Sequence, residues 1–156
     1  MQIRELDRAD VARIWEIDRS ETHDEVYVLR DGALELVPSH FAATGWHPAT
    51  IEQDTPRLAA ADVRLAALDS DRIVGVAVLE GERLFYLHVD AAYRGRGVGT
   101  RLFEEAASRS PRLLVSATPT RSTIDFYLAR GCVLDPDPPA DQVADEPDDI
   151  QLLYER

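Results

Sequence analysis

The stretch LFYLHVDAAYRGRGVGTRLFEEAA, residues 84–107, runs from a strand-like segment through a glycine-rich turn into a helical pattern. The apolar, aromatic run LFYLHV predicts the strand, and the stripe of Leu102, Phe103 and Ala106 predicts the helix. A helix that begins after a strand and a tight turn presents backbone N–H groups to an anion. Glycines in that turn let the backbone approach the anion closely. The stretch therefore predicts an anion-binding turn, and the alternative is a glycine-rich turn that binds no ligand.

Two common phosphate-binding signatures do not fit this turn. A P-loop needs Gly-Lys-Ser/Thr, which the stretch lacks. The dinucleotide fingerprint needs a third glycine, but Thr100 stands at that position counted from Gly95 and Leu102 counted from Gly97. The pattern that remains is Arg-x-x-Gly-x-Gly, residues 94–99. Arg94 and Arg96 add positive charge to an acidic chain and so favour an anionic ligand.

This pattern, the lead-in VDAAYR (residues 89–94) and the later segment TRSTIDFYLARGC (residues 120–132) together resemble the GNAT superfamily of acyl-CoA N-acyltransferases. In the later segment Phe126, Tyr127 and Gly131 match the family pattern. Three positions depart from it: Thr120 stands in place of Asn, Thr123 in place of Ala and Cys132 in place of Phe. The resemblance covers residues 63–156 well and the first 60 residues only by architecture.

The resemblance implies that backbone amides of the turn bind the pyrophosphate of coenzyme A. It also implies that backbone N–H groups between Leu87 and Asp90 hold the thioester carbonyl, where preorganised donors stabilise the developing negative charge. The residues implied to bind the cofactor are Leu87, Val89, Arg94, Gly95, Arg96, Gly97, Val98, Gly99, Thr100 and Thr120.

The resemblance also supplies a candidate catalytic acid. Tyr127 aligns with the tyrosine that protonates the coenzyme A sulfur in many relatives. The alternative is that Tyr127 only packs on its helix beside Ile124 and Leu128.

The base is less well defined by the sequence. His88 lies on the motif strand, where an imidazole could take a proton from an amine, and a structural histidine is the alternative. Glu80 and Glu82 are further candidates, and Ser116, at the end of the next strand, could position water or the pantetheine. The four histidines show no paired ligand spacing, so no metal site is expected.

The region with least resemblance to the family is expected to form the acceptor pocket. Candidates for its wall are His40, Phe41, Trp46, His47 and the hairpin at Asp31-Gly32. For Trp46 the alternative is that it seals the core beneath a loop. The sequence does not identify the acceptor.

The order of strands and helices predicts an α/β fold with a mixed sheet. The resemblance implies a single GNAT-like domain over residues 1–156, whose central sheet is mostly antiparallel and flanked by helices, with a parallel strand pair splayed at the acyl-CoA site. The predicted strands are at 2–5, 63–68, 73–80, 84–89, 113–117 and 150–155. Helices are predicted at 7–17, capped by Asp7, and at 50–61, and a further helix is capped by Ser122 with Asp125 and ended by Gly131. The remaining predicted features are a hairpin at Asp31-Gly32, an irregular segment at 38–50 and an acidic loop at 135–149.

The composition of the chain limits the classes of partner that it is expected to bind. With 29 acidic against 17 basic residues the net charge is −12, which argues against nucleic acid. No apolar run approaches the ~20 residues that span a membrane, and the charged start does not resemble a secretory signal. A single cysteine, Cys132, permits no internal disulfide, so a cytoplasmic setting is expected. The hairpin edge offers a surface for pairing with a second chain, which would give a homodimer.

The function implied by the resemblance is transfer of an acetyl or other acyl group from acetyl-CoA to a primary amine. The amine could belong to a small molecule, an amino-acid derivative or a protein. Acetyl-CoA is expected as the co-substrate, without a metal. The alternatives are a noncatalytic module that binds acyl-CoA as a sensor or docking domain, and an interaction protein that binds no coenzyme A.

Overall fold

The computed structural model describes residues 1–156, which contain nine strands, four α-helices and two 3₁₀ segments. The strands are β1 (Gln2–Glu5), β2 (Glu21–Arg30), β3 (Ala33–Ala43), β4 (Val63–Asp69), β5 (Arg72–Glu80), β6 (Arg83–Val89), β7 (Arg112–Ala117), β8 (Val133–Leu134) and β9 (Ile150–Glu155). The helices are α1 (Pro48–Ala60), α2 (Val98–Ser108), α3 (Arg121–Ala129) and α4 (Ala140–Asp145), and the 3₁₀ segments are Arg8–Glu16 and Ala91–Tyr93.

The chain divides into two compact units, each made of two separate segments. Met1–Glu21 with Thr44–Pro111 forms the first unit, and Thr22–Ala43 with Arg112–Arg156 forms the second. The fold class predicted from the sequence, a mixed and mostly antiparallel sheet flanked by helices, is confirmed. None of the helices combines the length and the apolar character that crossing a membrane requires.

In the first unit the strands lie in the order β1-β4-β5-β6, and every neighbouring pair is antiparallel. Strand β5 is buried on both faces along nearly its whole length. On one face its side chains join a core with α1 and the Arg8–Glu16 segment, in which Ile14 and Leu58 are fully buried. This packing places β6 and the turn that follows it on a rigid support.

The segment predicted as an α-helix over residues 7–17 is a 3₁₀ helix instead. Asp7 caps it as expected, because its carboxylate accepts a hydrogen bond from the N–H of Ala9 at 3.1 Å. The apolar residues Val11 and Ile14 are buried at i and i+3, the spacing that a 3₁₀ helix places on one face. The apolar pattern alone does not distinguish the two helix types over so short a segment.

Helix α2 covers the opposite face of β5, and Gly75 permits the close approach. A Cβ atom added at Gly75 would lie 2.8 Å from Cδ1 of Leu102 and 3.1 Å from Cγ1 of Val98. Both neighbours are buried and cannot swing into solvent. The glycine is therefore required for packing between strand and helix, not for an unusual backbone angle.

We expect Gly75→Ala to lower the free energy of unfolding by about 2 kcal/mol, because overpacking a full core is destabilising. The matched change Leu102→Ala removes the atom in closest conflict but leaves a cavity. Urea unfolding of both single variants and of the double variant measures the coupling between the two sites. The double variant should be about 1 kcal/mol more stable than the sum of the single effects predicts. Strictly additive effects would contradict this packing.

The second unit contains the hairpin β2–β3 and the strand order β7-β9-β8. Asp31 and Gly32 both have positive φ, 52° and 78°, as a two-residue type I′ hairpin turn requires. The predicted hairpin is confirmed. The irregular segment predicted for residues 38–50 is wrong, because β3 continues to Ala43 and α1 begins at Pro48. A two-stranded ribbon consists only of edge strands, and an edge strand tolerates Pro38.

The predicted end of helix α3 is confirmed, and its predicted start is wrong. It ends at Gly131 (φ 98°), where the N–H of Cys132 donates to the carbonyl of Tyr127 and that of Gly131 to Leu128, both at 3.1 Å. Its N-cap is Thr120 rather than the predicted Ser122, because Thr120 is held in extended backbone by a bridge to Val26.

The acidic segment predicted as a loop over residues 135–149 contains the short helix α4. Its Gln142 is buried, and the side-chain amide donates to the amide oxygen of Gln151 at 2.9 Å. Six residues are too few to show a helical period, so this helix depends on a contact that the sequence does not reveal.

Candidate anion-binding turn and active site

The glycine turn between β6 and α2 has open space beside its backbone at two of its glycines. Gly95 and Gly97 adopt φ of 76° and 82°, in the left-handed region that favours glycine. A Cβ atom added at either position would meet no protein atom within 4 Å. The turn therefore leaves room for a ligand directly against its backbone.

Helix α2 supplies the donors for an anion at this turn. The N–H of Arg101 donates to the carbonyl of Gly97 at 3.1 Å and closes the first turn. The N–H groups of Val98 and Gly99 precede that bond and have no acceptor within the helix. They lie at the positive end of the helix dipole, as a phosphate requires. Exposed Arg96, whose guanidinium lies 5.2 Å from the ring centroid of Tyr93, adds a cation beside them.

Arg94, predicted as a cofactor ligand, also forms hydrogen bonds within the chain. Its Nη1 donates to the carbonyl of Ser20 at 2.7 Å, and its Nε donates to the carbonyl of Val89 at 3.2 Å. These two hydrogen bonds of the guanidinium connect the start of the turn to the segment before β2. Of the two turn arginines, Arg96 is the one without a hydrogen bond to a backbone carbonyl.

Asp90 is a structural residue of the turn that the sequence reasoning did not identify. It is 1% exposed, and its carboxylate accepts hydrogen bonds from the N–H groups of Ala92 and Asp18, both at 3.0 Å, and from Arg72 at 3.2 Å. A buried carboxylate is tolerated only with partners of this kind. Its position directly after the strand was the only available signal.

Leu87, Val89 and Thr100 are half-buried beside the turn, the first two on β6 and the third in the first turn of α2. Leu87 lies opposite Ala77 and Val89 opposite Gly75 in the antiparallel register. Because cross-strand partners share a face, Val89 faces α2 as Gly75 does, and His88 faces the opposite side of the sheet.

His88 lies in an aromatic corner on that opposite side. Its ring centroid is 4.9 Å from that of Trp46 and 5.1 Å from that of Tyr86, both edge to face. Burial, reinforced by the positive charges of Arg19 and Arg94, lowers the pKa of His88 to about 3. The imidazole is neutral at physiological pH but only weakly basic. This property disfavours the predicted role of His88 as general base.

The lowered pKa of His88 makes the free energy of unfolding depend on pH. An unfolded histidine titrates near 6.5, so between pH 6.5 and pH 3 the unfolded chain binds a proton that the folded His88 rejects. The stabilisation is complete above pH 6.5 and is lost as the pH falls. We expect wild type to lose about 1 kcal/mol more unfolding free energy than His88→Gln between pH 6.5 and 5, after allowance for solvent screening. Urea unfolding at both pH values measures this, and equal losses would contradict the low pKa.

Tyr127 is buried on α3, with its ring 5.2 Å from that of Phe126. Burial raises its pKa well above 10, and the nearby Cys132 and Asp149 add to the rise. The phenol therefore keeps its proton at physiological pH and can donate a hydrogen bond. Burial also raises the pKa of the Cys132 thiol to about 12, so this cysteine is not a nucleophile near neutral pH.

Several other predicted site residues are engaged in structural contacts. Glu80 accepts two hydrogen bonds from Arg57, at 2.8 and 2.7 Å, which disfavours it as the base, and Glu82 is half-buried. The Ser116 hydroxyl donates to Asp149 at 3.1 Å and accepts from the amide of Gln151 at 2.9 Å.

Thr120 is fully buried, and its hydroxyl donates to that of Thr123 at 2.9 Å. These contacts give Thr120 a structural role at the start of α3, and its predicted contact with the cofactor stays a prediction. The substituted positions Thr120 and Thr123 therefore satisfy each other's polar groups.

The residues expected to line an acceptor pocket differ in their surroundings. Trp46 packs edge to face on Trp15 at 4.9 Å, stacks on Tyr86 at 5.9 Å and donates from Nε1 to the carbonyl of Ile17 at 2.9 Å. These contacts agree with the alternative in which Trp46 covers the core.

Of the other three side chains predicted for the pocket wall, His47 lies in the first unit and the other two lie in the second. His47 caps α1 by accepting from the N–H of Ala49 at 3.1 Å. His40 and Phe41 lie on β3 in the second unit, where His40 contacts Asp24 at 3.1 Å. No three His, Cys, Asp or Glu side chains are grouped so that they could hold a metal ion.

Comparison with known proteins agrees with the turn geometry. The model of the acetyltransferase (GNAT) domain matches residues 61–131, which include β4 to β7, the glycine turn and α3. Peptidyl-lysine N-acetyltransferase YjaB of Salmonella typhimurium is 28% identical over 119 residues, which cover 76% of this chain and 71% of the relative.

Solved structures with the same fold cover almost the whole chain. Nourseothricin acetyltransferase superposes with a TM-score of 0.72 at 18% identity, over 99% of this chain and 97% of the other. A Bacillus anthracis protein assigned as a streptothricin acetyltransferase and solved with acetyl coenzyme A gives 0.73 at 19% identity, over 99% and 98%. At these identities the likeness establishes the fold.

Proposed function

We propose that this chain, whose residues 61–131 match the acetyltransferase (GNAT) domain, transfers an acetyl group from acetyl-CoA to a primary amine. One observation carries the proposal. The turn combines open space over Gly95 and Gly97 with uncommitted N–H groups at the start of α2, an arrangement that fits a pyrophosphate. The relative solved with acetyl coenzyme A supports the same co-substrate.

Acetyl-CoA, when bound, supplies an activated thioester carbonyl. We assign the donor for that carbonyl to the backbone of β6, within the range Leu87 to Val89. The next N–H along the chain, that of Asp90, already donates to the carbonyl of Val74 at 2.9 Å. A fixed backbone donor stabilises the charge on the carbonyl oxygen without reorganising.

Two roles complete the proposed chemistry. Tyr127 donates a hydrogen bond to the leaving sulfur, since its phenol remains protonated at the pH where a thiolate forms. His88 is too weak a base to accept the amine proton, so the amine reaches the site in its neutral form, and the proton that its nitrogen loses on acylation passes to the leaving thiolate. The rate should therefore rise with pH along the pKa of the amine itself, without an inflection from His88.

Calorimetric titration with acetyl-CoA, followed by a thiol-release assay on a panel of amines, tests the proposal. The panel contains small amines, amino acids and lysine peptides, because the Salmonella relative is named for peptidyl-lysine. Binding with turnover supports an N-acetyltransferase. Binding without turnover on any amine would favour a noncatalytic acyl-CoA-binding module, and absence of binding would contradict both.

A further inference from the structure

Arg19 makes no ion pair, although the chain has a net charge of −12. It is half-buried between the first 3₁₀ segment and β2, and its Nε is buried without a hydrogen-bond acceptor. Other arginines of the same unit do find carboxylates: Arg57 contacts Glu80 and Arg72 contacts Asp90. A buried donor with no partner costs free energy, so its retention calls for an acceptor from outside the chain.

The backbone on both sides of Arg19 is fixed to the glycine turn. On one side, Asp18 donates its N–H to Asp90 at 3.0 Å and accepts from the N–H of Ala91 at 2.8 Å. On the other, the carbonyl of Ser20 accepts from Arg94 at 2.7 Å. The backbone of Arg19 is therefore held in place before any ligand arrives, which reduces the backbone entropy lost on binding.

The Arg19 side chain belongs to the face of the sheet opposite α2. Its guanidinium carbon lies 4.9 Å from the ring centroid of Trp46, and that ring lies 4.9 Å from His88. His88 faces away from α2, as the register of β5 and β6 requires. The donors assigned to the pyrophosphate are at the start of α2, so Arg19 meets a different part of the bound substrates.

Resting on the proposed function, we propose that Arg19 binds a carboxylate of the acceptor, and that the acceptor class is amino acids and their derivatives with a free carboxylate. A guanidinium offers paired donors that match the two oxygens of a carboxylate. In this aromatic corner the guanidinium of Arg19 lies over the ring of Trp46, which in turn contacts His88 of β6.

The position of this cation has a chemical consequence for the reaction. A positive charge near the bound amine favours its neutral form over the ammonium, as the same charge favours neutral His88. Arg19 would therefore hold the carboxylate while promoting the neutral form of the amine. This effect compensates for the absence of a strong base on β6.

The test compares N-acetylated amino acids, which are the products expected, with their carboxamides. Tryptophan fluorescence is followed while wild type, saturated with coenzyme A, is titrated with N-acetyl derivatives of glycine, leucine, glutamate and lysine and with the matching amides. We expect at least one acid to bind wild type tenfold or more tightly than its amide. Arg19→Met should abolish this preference, and Arg19→Lys should restore part of it.

The control Arg30→Met removes one positive charge at the surface pair with Glu35 and should keep the preference. Equal binding of acids and amides to wild type, or an undiminished preference in Arg19→Met, would overturn the assignment. A tenfold loss of acetyl-CoA affinity in Arg19→Met would show instead that Arg19 binds a phosphate of the co-substrate. Wild-type binding and turnover of acetyl-CoA are measured separately, so failure of the proposed function is distinguishable from failure of this assignment.

Discussion

Gly97→Glu is expected to reduce acetyl-CoA affinity by at least roughly 100-fold, or about 3 kcal/mol, and to leave the fold intact. A side chain at this position points into the open space over the turn, because a Cβ atom there meets no protein atom within 4 Å. The glutamate carboxylate would occupy the place assigned to the pyrophosphate and repel it. Isothermal calorimetry with acetyl-CoA measures the loss.

Gly81→Glu is the matched control for this variant. Gly81 also has positive φ, 57°, with no protein atom near an added Cβ, but it lies in the turn between β5 and β6. Both substitutions carry a similar backbone penalty of about 1–2 kcal/mol, so their thermal unfolding should be alike. Acetyl-CoA affinity should fall only in Gly97→Glu. An equal loss in both variants would show that the effect comes from destabilisation rather than from the turn.

Tyr127→Phe is expected to lower kcat by roughly 100-fold, with little change in acetyl-CoA affinity. The phenol is held in its protonated form by its raised pKa, and its loss removes the donor assigned to the leaving sulfur. Steady-state kinetics with the thiol-release assay give kcat, and calorimetry gives the affinity. The rate profile should show no alkaline limb from this tyrosine below pH 10, because its pKa lies above that value.

A second tyrosine of the same unit separates catalysis from packing. The hydroxyl of Tyr27 donates to Asp125 at 2.6 Å, so Tyr27→Phe removes one hydrogen bond of the folded chain. Tyr27→Phe should lose about 1 kcal/mol of unfolding free energy. Only Tyr127→Phe should lose activity. Full activity in Tyr127→Phe would assign Tyr127 to the packing role beside Ile124.

The parts of the fold that the sequence predicted well are those with local causes. The hairpin depends on the backbone freedom of Asp31-Gly32, and the end of α3 depends on Gly131 in the left-handed region. The glycine turn has the same origin, because Gly95 and Gly97 need positive φ whatever surrounds them. Local chemistry of this kind is visible in a few letters of sequence.

The parts that the sequence missed depend on partners distant along the chain. The start of α3 at Thr120 is set by a bridge to Val26, and α4 is anchored through Gln142 to Gln151. The roles of site residues follow the same rule. The sequence does not show that the carbonyl of Ser20 accepts a hydrogen bond from Arg94. Nor does it show that burial, together with the charges of Arg19 and Arg94, lowers the pKa of His88.

We propose that backbone N–H groups at the start of α2 bind the pyrophosphate of acetyl-CoA. Two-dimensional ¹⁵N–¹H spectra of the labelled protein, recorded during titration with acetyl-CoA, test it at the atoms concerned. The amide signals of Gly97, Val98 and Gly99 should move more than any others and saturate together with the calorimetric binding curve. Calorimetric binding without movement of these three signals would place the pyrophosphate elsewhere and contradict the account.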